Sequence, residues 1–108
     1  MNTMTLTQSA VQSSNISAEQ AGEGNMMDLS QSGGAVGSSI TAIQSTDITQ
    51  STITGSQVGG VNNSMLLSQV GGTMGSTIVA SQTGGADNSI GISQNGCSNC
   101  SATATQTQ

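Results

Sequence analysis

The sequence predicts an all-β fold: a β-solenoid of nine strand-turn repeats, wound as two facing parallel sheets with cross-β stacking. Three observations predict it. Nine glutamines (Gln8, Gln20, Gln31, Gln44, Gln57, Gln69, Gln82, Gln94 and Gln106) stand at gaps of 12, 11, 13, 13, 12, 13, 12 and 12 residues. The residues two and four places before each glutamine are apolar or small, and none is charged. Glycines follow most of the glutamines, as in Gly33-Gly34, Gly59-Gly60, Gly71-Gly72, Gly84-Gly85 and Gly96. A short period sustained along a whole chain is the mark of a repeat architecture, so residues 1–108 are expected to form a single repeat domain. Gln12, Gln50 and Gln108 fall outside the register.

Each repeat predicts one strand of about seven residues ending on its glutamine, because a spacing of two is the strand period. A helix would need apolar residues at spacings of three and four, and that pattern does not recur. The first strand, 2–8, points Asn2, Met4, Leu6 and Gln8 inward. The second, 14–20, points Ser14, Ile16, Ala18 and Gln20. The third and fourth, 25–31 and 38–44, begin on Asn25 and Ser38 and carry Met27, Leu29, Ile40 and Ala42. The fifth and sixth, 51–57 and 63–69, begin on Ser51 and Asn63 and carry Ile53, Gly55, Met65 and Leu67. The seventh and eighth, 76–82 and 88–94, begin on Ser76 and Asn88 and carry Ile78, Ala80, Ile90 and Ile92. The ninth, 100–106, begins on Cys100 and carries Ala102 and Ala104.

Strands and turns of near-constant length wind so that each strand pairs in parallel with the strand two units on. One sheet would then hold the strands ending at Gln8, Gln31, Gln57, Gln82 and Gln106, and the other those ending at Gln20, Gln44, Gln69 and Gln94. Two successive strands face each other in one coil. The first coil is expected to bury Met4, Leu6, Ile16 and Ala18, and each of the first four coils has three large residues and one small. Such compensation suits close packing at constant cross-section. The buried glutamines need partners, since an unpaired buried polar group costs ~1–3 kcal/mol. Identical amides stacked ~4.8 Å apart supply them as a ladder. The Asn and Ser residues six places earlier are expected to form a second ladder. Glycine supplies the positive φ of the sharp turns, except at Thr46-Asp47-Ile48, where no glycine is present.

Composition narrows the function. The chain has no Lys, Arg, His, Pro, Phe, Tyr or Trp, and a net charge of −5 from Glu19, Glu23, Asp28, Asp47 and Asp87. Nucleic-acid binding is not expected, because phosphate neutralisation needs Lys or Arg. No apolar run approaches the ~20 residues of a membrane helix. No basic region precedes an apolar stretch, so no signal peptide is visible. With no His, Lys, Arg or Tyr, and with scattered carboxylates, no enzyme activity, cofactor or metal site is expected. Cys97 and Cys100 form a CxxC, but zinc would need two further ligands and redox chemistry a helix N-terminus. Two readings stand: a small disulfide closing the last turn, or two unreactive thiols. The glycines of Gly71-Gly72-Thr73-Met74-Gly75 are turn residues, because no Lys follows to complete a phosphate loop.

The recurring pattern Ser-x-apolar-x-apolar-x-Gln-x-Gly, with Asn replacing some of the Ser residues, resembles the curlin repeat. It is clearest in Asn63-Ser64-Met65-Leu66-Leu67-Ser68-Gln69-Val70-Gly71 and in Asn88-Ser89-Ile90-Gly91-Ile92-Ser93-Gln94-Asn95-Gly96. The resemblance spans the chain and is weakest from Ile43 to Ser51. The chain departs from usual curlin composition in lacking Tyr, Phe, Lys and Arg. The resemblance implies a subunit of an extracellular functional amyloid fibre at the cell surface, supporting adhesion and biofilm matrix. The implied partners are further copies of itself, a nucleator subunit and an export system. The edges agree with it: the repeat runs to both ends, without the Lys or Pro that blunt exposed strands. Head-to-tail contacts that do not close give filaments. The alternative reading is an ice-binding solenoid, prompted by Thr3-x-Thr5-x-Thr7 and Thr103-x-Thr105-x-Thr107. The middle strands carry Ser64/Leu66/Ser68 and Ser89/Gly91/Ser93 in its place, so the array is broken.

Overall fold

A computed structural model describes residues 1–45 and 48–108. Thr46 and Asp47, part of the turn expected to lack glycine, lie outside the described residues. The described residues form nine strands: β1 (Thr3–Gln8), β2 (Asn15–Gln20), β3 (Met26–Ser32), β4 (Ser39–Ser45), β5 (Thr52–Val58), β6 (Ser64–Val70), β7 (Thr77–Thr83), β8 (Ser89–Asn95) and β9 (Ser101–Thr107). They pair as two parallel sheets, β1-β3-β5-β7-β9 and β2-β4-β6-β8. The chain is therefore a β-solenoid of about four turns, as the period predicts. Among the described residues, no helix is long and apolar enough to cross a membrane.

Register follows the glutamines. Gln8, Gln31, Gln57, Gln82 and Gln106 are successive partners in the odd sheet. Gln20, Gln44, Gln69 and Gln94 are partners in the even sheet. No residue is inserted in either ladder, because a one-residue slip would turn every apolar side chain to water. The extents are 35 × 22 × 13 Å. The smallest exceeds the ~10 Å spacing of packed sheets only slightly, which leaves little room for twist.

Strand boundaries differ from expectation by one residue. Each strand starts one place after the expected Asn, Ser or Cys, and from β3 onward each runs one place past its glutamine. The Asn and Ser positions close the connecting arcs instead of opening the strands, because their side chains bond within and between arcs. The arcs are themselves ordered into stacked bridges. Gln12, Val36, Val61 and Ala86 pair in the arcs that follow odd strands, and Glu23, Thr49, Met74 and Ser98 in those that follow even strands.

The core is the line of inward residues Met27, Leu29, Ile40, Ala42, Ile53, Met65, Leu67, Ile78, Ala80 and Ile90. The first coil departs from the sequence expectation: Met4 and Leu6 are 41% and 47% exposed. Nothing stacks on their outer side, so their shape complementarity is left to solvent at the solenoid's end. Ile16, Ala18, Ile92 and Ala104 are likewise only partly buried.

Candidate functional site

The inward polar residues form continuous columns. In the odd sheet the Gln8 Nε2 donates to Gln31 Oε1 at 2.8 Å, Gln31 to Gln57 at 2.7 Å, Gln57 to Gln82 at 2.7 Å and Gln82 to Gln106 at 3.1 Å. In the even sheet Gln20 donates to Gln44 at 2.9 Å, Gln44 to Gln69 at 2.8 Å and Gln69 to Gln94 at 2.9 Å. The second amide hydrogen is used across the coil, as when Gln31 donates to Ser38 O and Gln44 to Ser51 O, both at 3.2 Å. Gln31, Gln44, Gln57 and Gln69 are fully buried yet satisfied. All seven inter-glutamine bonds run the same way, so each column has a donor end and an acceptor end. The structure brings all nine glutamines into these two columns and leaves Gln12, Gln50 and Gln108 outside them.

The Asn and Ser residues form the second set, by a different bond. The side-chain oxygen of each accepts the backbone N–H of its counterpart one coil on. Asn2 accepts from Asn25 at 3.0 Å and Asn25 from Ser51 at 3.0 Å. Ser51 then accepts from Ser76 at 3.2 Å, and Ser76 from Cys100 at 3.2 Å. On the other side Ser14 accepts from Ser38 at 3.2 Å, Ser38 from Asn63 at 3.1 Å and Asn63 from Asn88 at 3.0 Å. These are side-chain to backbone bonds, so Asn and Ser interchange where two stacked amides would have to match.

The interchange has a steric condition. Three places before each of Asn25, Asn63 and Asn88 stands a glycine: Gly22, Gly60 and Gly85. A Cβ at Gly60 would lie 2.2 Å from Asn63 Nδ2, and one at Gly85 would lie 2.2 Å from Asn88 Nδ2. Three places before Ser14, Ser38, Ser51 and Ser76 stand Val11, Ala35, Ile48 and Thr73. A short ladder residue thus leaves room for a side chain, and Ala35, Ile48 and Thr73 are fully buried there. Cys97 and Cys100 occupy the same pair of positions in the last even arc. Their Cα atoms are 6.1 Å apart, within the span of a disulfide. Among the described residues, no group of three or more His, Cys, Asp or Glu side chains could hold a metal.

The columns end in open faces. At one end β1 and β2 pair on one side only, and the Oε1 of Gln8 and of Gln20 lack a glutamine donor. At the other end β8 and β9 pair on one side only, and Gln94 and Gln106 lack a glutamine acceptor. An unused acceptor face and an unused donor face, each flanked by inward apolar residues, are complementary. Sequence reasoning reached the columns but missed the coupling of glycine to Asn, whose signal is the shared spacing of three. No protein-family model, curated protein or solved structure matches the chain.

Proposed function

We propose that the chain is a structural subunit of an extracellular, curli-like functional amyloid fibre, self-assembling head to tail by strand stacking and supporting adhesion and biofilm matrix. The observation that carries the reading is the pair of open ends. Each presents an unpaired strand edge, an open glutamine column and an uncovered piece of core, including Met4 at 41% and Leu6 at 47% exposure. Exposed edges of this kind template further strands unless blunted by Lys, Pro or bulges, and the chain has no Lys or Pro. Adding a second copy pairs the edge, buries the apolar residues and extends the columns at once.

Continuous winding across the junction would set the register of that addition. β9 stands half a coil beyond β8. The next vacant level lies over β8, so the β1 of an incoming copy seats there, with Met4, Leu6 and Gln8 over Ile90, Ile92 and Gln94. Its β2 then places Ile16, Ala18 and Gln20 over Ala102, Ala104 and Gln106. A copy placed without rotation would leave one strand level empty. The adhesive role and the surface location rest on the resemblance to curlin repeats, carried by the same inward pattern.

Dilution of the purified protein from denaturant, followed by sedimentation and electron microscopy, tests the subunit reading. Unbranched filaments are expected, and a solution that stays monomeric contradicts it. Antibody labelling of intact source cells tests location: label on surface fibres is expected, and label only in broken cells contradicts it.

A further inference from the structure

The ladders change partners at the β8–β9 end. Within the solenoid a ladder side chain turns its oxygen to the backbone N–H one coil on, as Asn63 does to Asn88 at 3.0 Å. Gln57 and Gln82 give one amide hydrogen to the next glutamine and the other to the carbonyls of Ser39 and Ser64, at 3.1 and 3.2 Å. Gln106, on β9 in the same column, turns elsewhere: its Nε2 donates to the side-chain Oδ1 of Asn88 at 3.1 Å. The Nε2 of Gln108 donates to the same oxygen at 3.3 Å. An amide oxygen has two lone pairs, so both acceptor sites of Asn88 are taken. Asn88 keeps the pose of Asn63 all the same. A Cβ at Gly85 would meet its Nδ2 at 2.2 Å, as one at Gly60 would meet that of Asn63. Its oxygen therefore stands where the ladder would use it.

We propose that Asn88, Gln106 and Gln108 form a latch that must open before a second copy seats on this end. The inference rests on the fibre reading and its continuous winding. In that junction Asn2 of the incoming copy lies over Asn88, and its Gln20 over Gln106. The Asn2 N–H then needs the Asn88 oxygen, and the Gln20 Oε1 needs the Gln106 Nε2. Those are the two groups that satisfy each other in the free copy. The exchange replaces like bonds with like, so the latch sets a rate more than an end point. Its bonds break at the encounter, before strand pairing and apolar burial are complete. Gln106 and Asn88 are half-buried and Gln108 is exposed, so each bond has a modest net strength. Serine separates the two duties of position 88. Ser51 and Ser76 accept ladder N–H groups at 3.2 Å, so a serine oxygen can serve the ladder. A hydroxyl is one bond shorter than the amide, which puts the Gln106 Nε2 out of hydrogen-bond reach.

The test is elongation followed by light scattering, each chain seeded with its own filaments. Asn88→Ser is set against Asn63→Ser, the same exchange one coil inside. Asn88→Ser should elongate about three- to tenfold faster than the native chain, as a barrier lowered by roughly one net hydrogen bond requires. Asn63→Ser, whose oxygen serves only the ladder, should elongate no faster than native. Nuclear magnetic resonance of the monomer reads the contact itself. The Gln106 side-chain amide signals should move in Asn88→Ser and hold in Asn63→Ser. Circular dichroism confirms that each variant keeps its strands. Filaments that elongate equally fast with and without Asn88→Ser overturn the latch and leave the fibre reading standing. So does an equal acceleration by the two variants, and so do Gln106 signals indifferent to Asn88→Ser. If all three chains stay monomeric, the fibre reading fails and the latch fails with it.

Discussion

Gln57 sits at the centre of the odd column, fully buried, accepting from Gln31 at 2.7 Å and donating to Gln82 at 2.7 Å. Replacing it by alanine leaves the Gln82 oxygen without its donor and opens a void beside Gly55. We expect Gln57→Ala to destabilise by on the order of 2–5 kcal/mol, combining an unmade buried bond with lost packing. Gln12→Ala, on an exposed arc residue, should change the urea midpoint by almost nothing. Equal shifts for the two would refute the ladder as a source of stability. Thr73 is the opposite case. Its Oγ1 is buried without a hydrogen-bond partner, although the residue is fully enclosed. Thr73→Val keeps the shape and removes the stranded hydroxyl, so it should stabilise by about 1–3 kcal/mol, read as a higher urea midpoint. The glutamine columns are legible in the sequence because identical residues recur at the period. Thr73 is not legible, because its lack of a partner depends on what the arcs above and below offer, and a hydroxyl at an arc position reads as surface.

At the scale of elements, the strands follow from alternation and the arcs do not. The glycines after the glutamines supply left-handed sites, often in pairs: Gly59 and Gly60, Gly71 and Gly72, and Gly84 and Gly85 all have positive φ. A further left-handed site stands just before each ladder residue. It is filled by Ser13, Gly37, Asn62 and Asp87 on one side and by Gly24, Gln50, Gly75 and Asn99 on the other. Only three of these eight are glycine, so the column hides in the sequence. Asn and Asp tolerate that conformation better than most side chains. The uneven period has an arc-level cause too. The three gaps of 13 residues fall where Ser38, Ser51 and Ser76 close the arc behind Ala35, Ile48 and Thr73. The Asn-closed arcs are shorter and use glycine. Gly60 and Gly72 separate the two demands on glycine. Both have positive φ, +85 and +69, but a Cβ at Gly60 meets Asn63 and two backbone oxygens, while one at Gly72 meets nothing within 4 Å. Gly72→Ala should cost only the left-handed strain, about 1–2 kcal/mol. Gly60→Ala should cost clearly more, and equal urea midpoints would refute the steric coupling to Asn63.

At the scale of the whole fold, the odd number of strands among the described residues matters most. Nine strands in two sheets end half a coil out of phase, with five on one side and four on the other. If copies stack as proposed, successive copies alternate, so each side of a fibre would present the outer faces of the odd and even sheets in turn. Net charge of −5 per copy, with no cation, would hold neighbouring fibres apart at low salt. The solenoid and its sheet assignment were legible in the sequence because period, alternation and turn glycine all agree. The exposure of Met4 and Leu6 was not, because a repeat pattern does not say where stacking stops.

The most direct test of the central claim is helical reconstruction by cryo-electron microscopy of the protein assembled after dilution from denaturant. The account predicts unbranched filaments with a ~4.8 Å strand repeat, each copy rotated by about half a turn and advanced by ~22 Å, with β1 of one copy seated on β8 of the last. Monomers that persist, or closed particles with both ends covered, would contradict it.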